Sequence, residues 1–257
     1  MIVHDTRNAP VLFISDLHLD PARPEIIRLF LAFLADEASR AQALYILGDL
    51  FEAWIGDDAV EPDHPVVTGL RGLAGAGIPL RIMRGNRDFL LGERFERLTD
   101  CTLLPDPSVV QIDGEPVMLM HGDSLCIDDA DYQRFRAMVR DPQWQREFLS
   151  KTVEERIAYA KQARAESTSR NAMLNDSPDD YLMDVNAGAV ETAMREHGVR
   201  RLIHGHTHRP DVHDITVDGD PARRIVLGDW YDQGSVLRVN GGEYVLSVLP
   251  VPGVRRR

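Results

Sequence analysis

The chain of 257 residues is acidic, with 29 lysine and arginine residues against 41 aspartate and glutamate residues and a formal net charge of −12. A protein of this sign repels nucleic acid and anionic membranes as a whole, which argues against a nuclease. An anionic substrate would therefore need metal ions or a local basic patch. The length suffices for one large α/β domain, so we predict a single domain over residues 1–257 that carries one inserted segment.

Cysteine content and hydropathy indicate the cellular compartment in which the protein is expected. Cys101 and Cys126 are too few for a disulfide framework and are not spaced as a metal knuckle, which indicates a reducing compartment. Residues 1–10 lack the apolar segment of a signal peptide, and no run approaches the roughly 20 apolar residues of a membrane span. We expect a cytosolic protein whose membrane contact, if any, is peripheral.

Buried strands are predicted where short apolar runs end in polar motifs. The clearest run, 44–47, leads into Gly48 and Asp49. Four further runs share this design, namely 11–15 before Asp16-Leu17-His18, 80–83 before Gly85-Asn86-Arg87-Asp88, 117–120 before His121-Gly122-Asp123, and 202–203 before His204-Gly205-His206-Thr207-His208. In parallel sheets the reactive groups lie just past the C-terminal ends of the strands. Five strand ends therefore present Asp, His and Asn side chains to one region.

Helices alternate with these strands, which is typical of an α/β fold. Apolar residues at helical spacing predict a helix that opens at Pro24 and others over residues 64–77 and 185–197. The composition of residues 175–180 predicts a loop. Alternating patterns predict antiparallel strands over 225–227, 235–239 and 244–248.

Residues 128–180 are predicted to form a helical cap inserted into the domain. Within this cap, residues 132–171 contain five aromatic residues and nine basic against five acidic ones, a net charge of +4 that leaves about −16 on the remainder. A basic, aromatic-rich layer suits an apolar substrate presented at an anionic surface, whereas a protein phosphatase would keep an open groove. The alternative that stays open is an amphipathic helical pair that only packs on the core.

The residue types at the strand ends form a metal-ligand set. Asp16 and His18 are two positions apart, so on an extended backbone both side chains point to the same side, and His206 and His208 repeat this spacing. Imidazole, carboxylate and amide ligands without thiolate disfavour a structural zinc site and leave manganese, iron, zinc or cobalt open. A pair of divalent ions that clamps a phosphoryl displacement needs a shared ligand. Asp49 is the natural bridge.

Gly205 is expected to remove side-chain bulk where the backbone must approach closely.

The order of these motifs resembles the calcineurin-like metallophosphoesterase superfamily. Residues 46–58, 85–92 and 203–210 are similar to those of the UDP-2,3-diacylglucosamine pyrophosphohydrolases, which act in lipid A synthesis in Gram-negative bacteria. The resemblance implies a four-layer αββα sandwich, two divalent ions with Mn²⁺ as the expected metal, and a peripheral position on the cytoplasmic face of the inner membrane. It also implies water attack on the α-phosphorus of UDP-2,3-diacylglucosamine, which gives UMP and 2,3-diacylglucosamine 1-phosphate.

The resemblance assigns roles to particular residues. One metal is expected at Asp16, His18, Asp49 and His208, and the other at Asp49, Asn86, His121 and His206. The expected catalytic residues are Asp49, Asn86, Arg87 and His121. Substrate contacts are expected from Asn86, Arg87, Asp129, Ser167, Asn171 and His206.

Arg87 departs from the wider superfamily, in which many members carry a His after Gly-Asn that can protonate an alkoxide. Arginine cannot act as a general acid because it stays protonated. Pyrophosphate cleavage releases a phosphate monoester with a pKa of roughly 6, so its departure needs charge neutralisation more than a proton. Arg87 therefore favours an anhydride substrate over a phosphomonoester or phosphoprotein.

Three other functions are weighed against this interpretation. One is another dimetal phosphodiesterase or pyrophosphatase that acts on a nucleotide-linked substrate, another is a phosphoprotein phosphatase, and the third is a metal-bound scaffold without catalysis. Such a scaffold would lack a ligand, and none of the seven ligand positions that the resemblance implies is missing. We expect neither a nucleic-acid partner nor an obligate protein partner.

Overall fold

Two six-stranded mixed sheets make up the centre of the computed structural model, which describes residues 1–175 and 184–251, with the backbone alone for 170–175. The first sheet has the order β12 (Glu243–Leu249), β11 (Gly234–Asn240), β2 (Val11–Ile14), β3 (Ala43–Leu47), β4 (Leu80–Met83) and β5 (Thr102–Leu104). The second has the order β1 (Ile2–His4), β6 (Ser108–Ile112), β7 (Glu115–Met120), β8 (Arg201–His204), β10 (Asp220–Val226) and β9 (Asp211–Val217).

The sheets pack face to face with helices on their outer faces. The helices are α1 (Pro24–Asp36), α2 (Pro65–Gly75), α3 (Glu93–Thr99), α4 (Ala130–Arg140), α5 (Pro142–Leu149), α6 (Val153–Asn175) and α7 (Ala187–Glu196). Phe13 of β2 contributes to the core between the sheets, while its neighbours Leu12 and Ile14 join the core formed with α1, α2 and α3. On the other side, Met118 and Leu202 pack with α7. The predicted αββα sandwich is confirmed.

All five apolar runs are strands, and β2, β3 and β4 are parallel neighbours, as are β7 and β8. Within each sheet the C-terminal ends of these neighbours therefore lie at the same edge. The polar motifs of the two sheets converge, since the side chains of His121 and Asn86 are in contact. The predicted helices correspond to α1, α2 and α7, whereas β1, β5, β6, β9 and α3 were not predicted.

Helices α4, α5 and α6 lie between β7 and α7, where the cap is predicted. Trp144 and Phe148 of α5 stack on each other with 4.9 Å between ring centroids, and Trp144 contacts Phe89 of the core. These aromatics pack α5 against the sandwich. The predicted loop over residues 175–180 lies outside the described residues, apart from Asn175, which ends α6.

The helices of the cap are too polar for a membrane span. The 23 residues of α6 include many charged side chains, and no helix in the described part of the chain is both long and apolar enough to cross a bilayer.

Candidate dimetal centre

Five of the seven predicted metal ligands have a left-handed backbone. The φ angle is 54° at Asp16, 47° at His18, 53° at Asp49, 70° at His206 and 56° at His208. The prediction of an extended backbone at Asp16-x-His18 and at His206-x-His208 is therefore wrong. After β2 the conformation is held by main-chain N–H groups that donate to the loop after β3. Asp16 N lies 3.1 Å from the Gly48 carbonyl oxygen, and His18 N lies 2.9 Å from the Asp49 carbonyl oxygen.

A first cluster consists of Asp16, His18 and His208. The Nε2 atoms of His18 and His208 are 3.2 Å apart, and Nε2 of His208 lies 3.5 Å from Oδ1 of Asp16. The other carboxylate oxygen, Oδ2, accepts hydrogen bonds from Ser15 Oγ at 2.5 Å and from the His206 main chain at 2.9 Å. Oδ1 is buried and accepts no hydrogen bond from any described residue. An orphaned carboxylate oxygen beside two imidazole nitrogens fits a divalent cation.

A second cluster consists of Asn86, His121 and His206. The side-chain oxygen of Asn86 lies 2.9 Å from Nε2 of His121 and 2.9 Å from Nδ1 of His206. On the far side of the His121 ring, Nδ1 lies 2.9 Å from the carbonyl oxygen of Leu47. A carbonyl in this position accepts a hydrogen bond from Nδ1–H, which keeps the proton on Nδ1 and leaves the Nε2 lone pair directed toward the cluster, as at metal-ligating histidines.

Asp49 lies between the two clusters. Its Oδ2 is 3.8 Å from Nε2 of His18, and its Oδ1 is 3.8 Å from Nε2 of His121. Oδ1 also accepts a hydrogen bond of 2.8 Å from the main chain of Arg87. One carboxylate therefore presents an oxygen to each cluster, which is the arrangement that a bridging ligand requires.

Two glycines make the close approach of these loops possible. A Cβ atom on Gly85 would lie 2.1 Å from Oδ1 of Asp49. A Cβ atom on Gly205 would lie 2.3 Å from both Oδ2 of Asp16 and Oγ of Ser15. The expectation that Gly205 removes bulk at a close backbone approach is confirmed.

The electrostatics of the centre favour positive charge. Burial opposes ionisation of Asp16, but its contact with His208 and the neighbouring imidazoles hold the pKa of Asp16 well below its usual range. Burial alone would lower the pKa of His121, yet the carboxylates of Asp49 and Asp123 raise it to about 9. Two fully buried carboxylates, Asp16 and Asp49, thus create a negative field that attracts a cation.

Asp88 supports the centre without facing it. Its buried carboxylate accepts main-chain hydrogen bonds from Gly85 at 2.7 Å, Leu50 at 2.7 Å and Asp49 at 3.3 Å, so it ties the loop after β3 to the loop after β4. Burial and the nearby carboxylate of Asp49 raise the pKa of Asp88 to about 6. The sequence placed Asp88 within a motif but gave it no role.

Asp123 connects the centre to α4 and was also missed. Its buried carboxylate lies 2.8 Å from Nε of Arg136 and 3.5 Å from Arg140, and it accepts a hydrogen bond of 3.1 Å from the Tyr132 hydroxyl. The Tyr132 ring in turn lies 5.7 Å from the His206 ring. The four-residue spacing of Tyr132, Arg136 and Arg140 was the sequence signal, because such residues share one face of a helix.

The predicted substrate residues occupy three kinds of position. Asn86, His206 and the main chain of Arg87 belong to the centre, and Nε of Arg87 is buried without a hydrogen bond to any described residue. Asp129 caps the start of α4 by accepting from the main chain of Tyr132 at 2.9 Å. Ser167 lies half-buried on α6, and the side chain of Asn171 lies outside the described residues. A role in substrate binding stays a prediction for all of them.

Comparison with known proteins identifies the class. The chain belongs to the calcineurin-like phosphoesterase family, whose sequence model matches residues 9–210, a span that includes all seven predicted ligands. Among solved structures, an archaeal phosphodiesterase is 14% identical, with a TM-score of 0.48 over 93% of this chain and 99% of that chain.

Relatives at much higher identity define the subfamily. The UDP-2,3-diacylglucosamine hydrolase of Stenotrophomonas maltophilia is 51% identical over 242 residues, which cover 93% of this chain and 98% of the relative. The hydrolase of the same name from Xanthomonas oryzae pv. oryzae is 51% identical over 89% of this chain and 94% of the relative. Within the phosphoesterase class, the chain is a member of the family of these hydrolases.

Proposed function

We propose that the protein hydrolyses the pyrophosphate bond of UDP-2,3-diacylglucosamine by water attack on the α-phosphorus, with release of UMP and 2,3-diacylglucosamine 1-phosphate. The substrate follows from relatives that carry this activity in their name and are 51% identical over nearly their whole length. The observation that carries the chemistry is the position of Asp49, whose two carboxylate oxygens face separate clusters of buried ligands.

Seven side chains would hold two divalent ions, for which Mn²⁺ is the proposed metal. Asp16, His18, Asp49 and His208 would hold one ion, and Asp49, Asn86, His121 and His206 the other. Bound ions of this kind stabilise the negative charge that develops on phosphate oxygens. The Leu47 carbonyl keeps His121 in the tautomer whose Nε2 faces the cluster, and Asp88 fixes the loops that carry Asp49 and Asn86.

Arg87 is proposed to stabilise the departing phosphate. Its main chain is held on both sides, since its N–H donates to Asp49 and its carbonyl oxygen accepts from Trp54 at 3.1 Å. The buried Nε has no hydrogen-bond partner within residues 1–175 and 184–251. A guanidinium Nε without a partner on a fixed main chain suits a phosphate oxygen, because charge-assisted hydrogen bonds are about twice as strong as neutral ones.

The protein is proposed to bind peripherally to the cytoplasmic face of the inner membrane through the cap. Much of the cap's positive charge forms ion pairs with the core. Arg136 and Arg140 both pair with Asp123. Arg156 pairs with Asp58, and Arg164 pairs with Glu52. The exposed Arg146, Lys151 and Lys161 form no ion pair with the residues that the structure describes, and Leu149 and Ile157 are 40% and 38% exposed. Each free cation contributes about 1 kcal/mol near an anionic bilayer.

Hydrolysis in ¹⁸O-labelled water tests the proposed reaction. The purified protein, loaded with Mn²⁺, is expected to release UMP from UDP-2,3-diacylglucosamine and to stop when the metal is chelated. The label should appear in UMP, because the α-phosphorus is the proposed electrophile. Label in the lipid 1-phosphate would contradict this site of attack. Equal turnover of UDP-glucosamine without acyl chains would favour the alternative of a general nucleotide pyrophosphatase.

Vesicle co-sedimentation tests the membrane proposal separately. At low salt the protein should bind vesicles with anionic lipid, and the triple variant Arg146→Gln/Lys151→Gln/Lys161→Gln should bind less. A matched control is Arg195→Gln/Arg200→Gln/Arg223→Gln, which removes the same charge from paired arginines remote from the cap. Equal loss in both triple variants would show that net charge alone decides binding and would remove the proposed role of the cap.

A further inference from the structure

The acidic loop, residues 52–58, meets α6 at two points. At the first, the guanidinium of Arg156 forms two hydrogen bonds to the carboxylate of Asp58, at 2.8 and 2.5 Å, and a third of 2.6 Å to the carbonyl oxygen of Ile55. At the second, Nε of Arg164 lies 2.5 Å from Oε1 of Glu52. The two arginines are eight residues apart, which corresponds to about two turns of helix. One side of α6 is therefore held against the acidic loop.

The two contacts differ in whether the carboxylate that receives the arginine also reaches the metal centre. The Asp58 side chain is 60% exposed, and none of its interactions with the described residues connects it to the metal centre. The Glu52 side chain is only 17% exposed, and its second oxygen, Oε2, lies 3.1 Å from Nδ1 of His18. One carboxylate is thus shared between the cap helix and a predicted metal ligand.

The ring of His18 is held on three sides. It stacks on Tyr231, with 5.1 Å between centroids and 7° between planes, and the Arg23 guanidinium lies 4.8 Å from the centroid of the Tyr231 ring. Nε2 faces His208. Nδ1 and Oε2 of Glu52 are both buried and in contact, but they are not aligned as a hydrogen bond and have no other partner in the described chain. Glu52 is therefore the group that can fix the tautomer of His18.

We propose that Glu52 is a positioning residue that orients His18 through Nδ1 and, through Arg164, couples the docking of α6 to metal occupancy of the cluster of Asp16, His18 and His208. This inference rests on the dimetal centre of the proposed function. A carboxylate on Nδ1 leaves Nε2 as the ligating atom and raises its basicity, as carboxylate partners do for other metal-bound histidines. Coupling is reciprocal, so a metal that favours this orientation of His18 also favours docked α6.

Metal affinity separates the orienting role from a purely structural one. We expect Glu52→Ala to weaken Mn²⁺ binding at one of two sites by about 10- to 100-fold in equilibrium dialysis, the usual loss when such a supporting partner is removed. Glu52→Gln keeps an acceptor for Nδ1, so its affinity should fall less. Asp58→Asn is the matched control, because it weakens the other contact with α6 and should bind Mn²⁺ as the wild type does.

Amide hydrogen exchange of α6 tests the coupling. In the wild type, Mn²⁺ should slow exchange over residues 153–169. In Glu52→Gln, which loses the ion pair with Arg164 but keeps the shape of the side chain, this metal-dependent protection should be lost, whereas Asp58→Asn should retain it. Circular dichroism of each variant establishes that the fold is kept.

The outcomes distinguish this inference from the proposed function. A wild type that binds no Mn²⁺ would refute the dimetal centre itself. A wild type that binds two ions, together with a Glu52→Ala variant of unchanged affinity, would overturn only the role of Glu52. Metal-dependent protection of α6 that persists in Glu52→Gln would overturn the coupling.

Discussion

At the scale of single residues, the centre depends on a left-handed backbone at five predicted ligands, namely Asp16, His18, Asp49, His206 and His208. Such a conformation costs an L residue about 1–3 kcal/mol and persists only where the surroundings enforce it. Here it turns His206 toward Asn86 and His208 toward Asp16, so neighbouring histidines serve different clusters. An extended chain would have directed both to the same side.

Asp49→Asn tests the bridging position. The amide keeps the size of the side chain but removes the charge that faces both clusters, so both metal sites should weaken together. UMP release should fall by at least about 100-fold, the upper end of what is lost when a group that only supports a ligand is removed. Metal content by mass spectrometry should fall with it, whereas His208→Ala should empty one site first. Two tightly bound ions in an active Asp49→Asn protein would contradict the shared carboxylate.

Arg87→His tests the leaving-group argument. The change restores a possible general acid but removes a permanent charge, so pyrophosphate cleavage should slow by about 10- to 100-fold, equivalent to the 1.5–3 kcal/mol of one hydrogen bond to a charged group. Arg87→Lys, which keeps the charge, should lose less. Steady-state rates with UDP-2,3-diacylglucosamine measure both. A rate for Arg87→His equal to that of the wild type would show that Arg87 does not stabilise the departing phosphate.

At the scale of the elements, α6 is held to the core by buried charge rather than by a broad apolar face. Arg156 is only 2% exposed and bonds Ile55 and Asp58, whereas Arg146 on α5 is exposed and unpaired within the described residues. Arg156→Ala should lower the free energy of unfolding by about 2 kcal/mol. Arg146→Ala should change it by less than about 0.5 kcal/mol. Urea denaturation measures both, and equal effects would remove the anchoring role of Arg156.

The elements also show why some strands could be predicted and others not. The runs that became β2, β3 and β7 are apolar because both faces are buried, which leaves a local signal in the sequence. By contrast, β1 has three residues and β9 is an edge strand with alternate exposure. The assignment of β1 depends on β6, a partner strand that is distant in the chain. The partner of β9 is the adjacent β10, but most residues of β9 are exposed or half-buried, so its sequence lacks the apolar signal of a buried strand.

The same limit applies to the site. Asp16 and Asp49 could be brought together from the sequence, and so could His121 and His206, because neighbouring parallel strands end at the same edge of a sheet. The contacts of Glu52 with Arg164 and His18 span 112 and 34 residues, and they depend on how α6 packs. The left-handed φ angles could not be predicted from the sequence either, since Asp and His tolerate this conformation without requiring it.

At the scale of the whole molecule, stability should depend on the ionisation of Asp106, a partly exposed residue whose two carboxylate oxygens are buried. Both carboxylate oxygens of Asp106 are buried without a hydrogen bond in the described chain, and burial together with Asp123 raises its pKa to about 6. The unfolded chain has an Asp pKa of about 3.9. Between these two values the folded state binds a proton that the unfolded state has released, so stability falls as pH rises from about 4 to about 6.

Asp106→Asn should remove this penalty. The variant is expected to match the wild type at pH 4 and to be more stable by about 1–3 kcal/mol at pH 7.5, since one pKa unit corresponds to about 1.36 kcal/mol. Urea denaturation at the two pH values, in buffers of equal metal content, measures the difference. Asp63→Asn, at an exposed aspartate, serves as the control. A variant whose advantage does not depend on pH would show that the carboxyl charge is not the cause.

Anomalous diffraction from crystals grown with Mn²⁺ is the most direct test of the central claim, that the strand ends form one centre for two metals. We predict two peaks, one within coordination distance of Asp16, His18 and His208 and the other within that of Asn86, His121 and His206, with the carboxylate of Asp49 shared between them. A single peak, or two peaks without a ligand in common, would contradict the account.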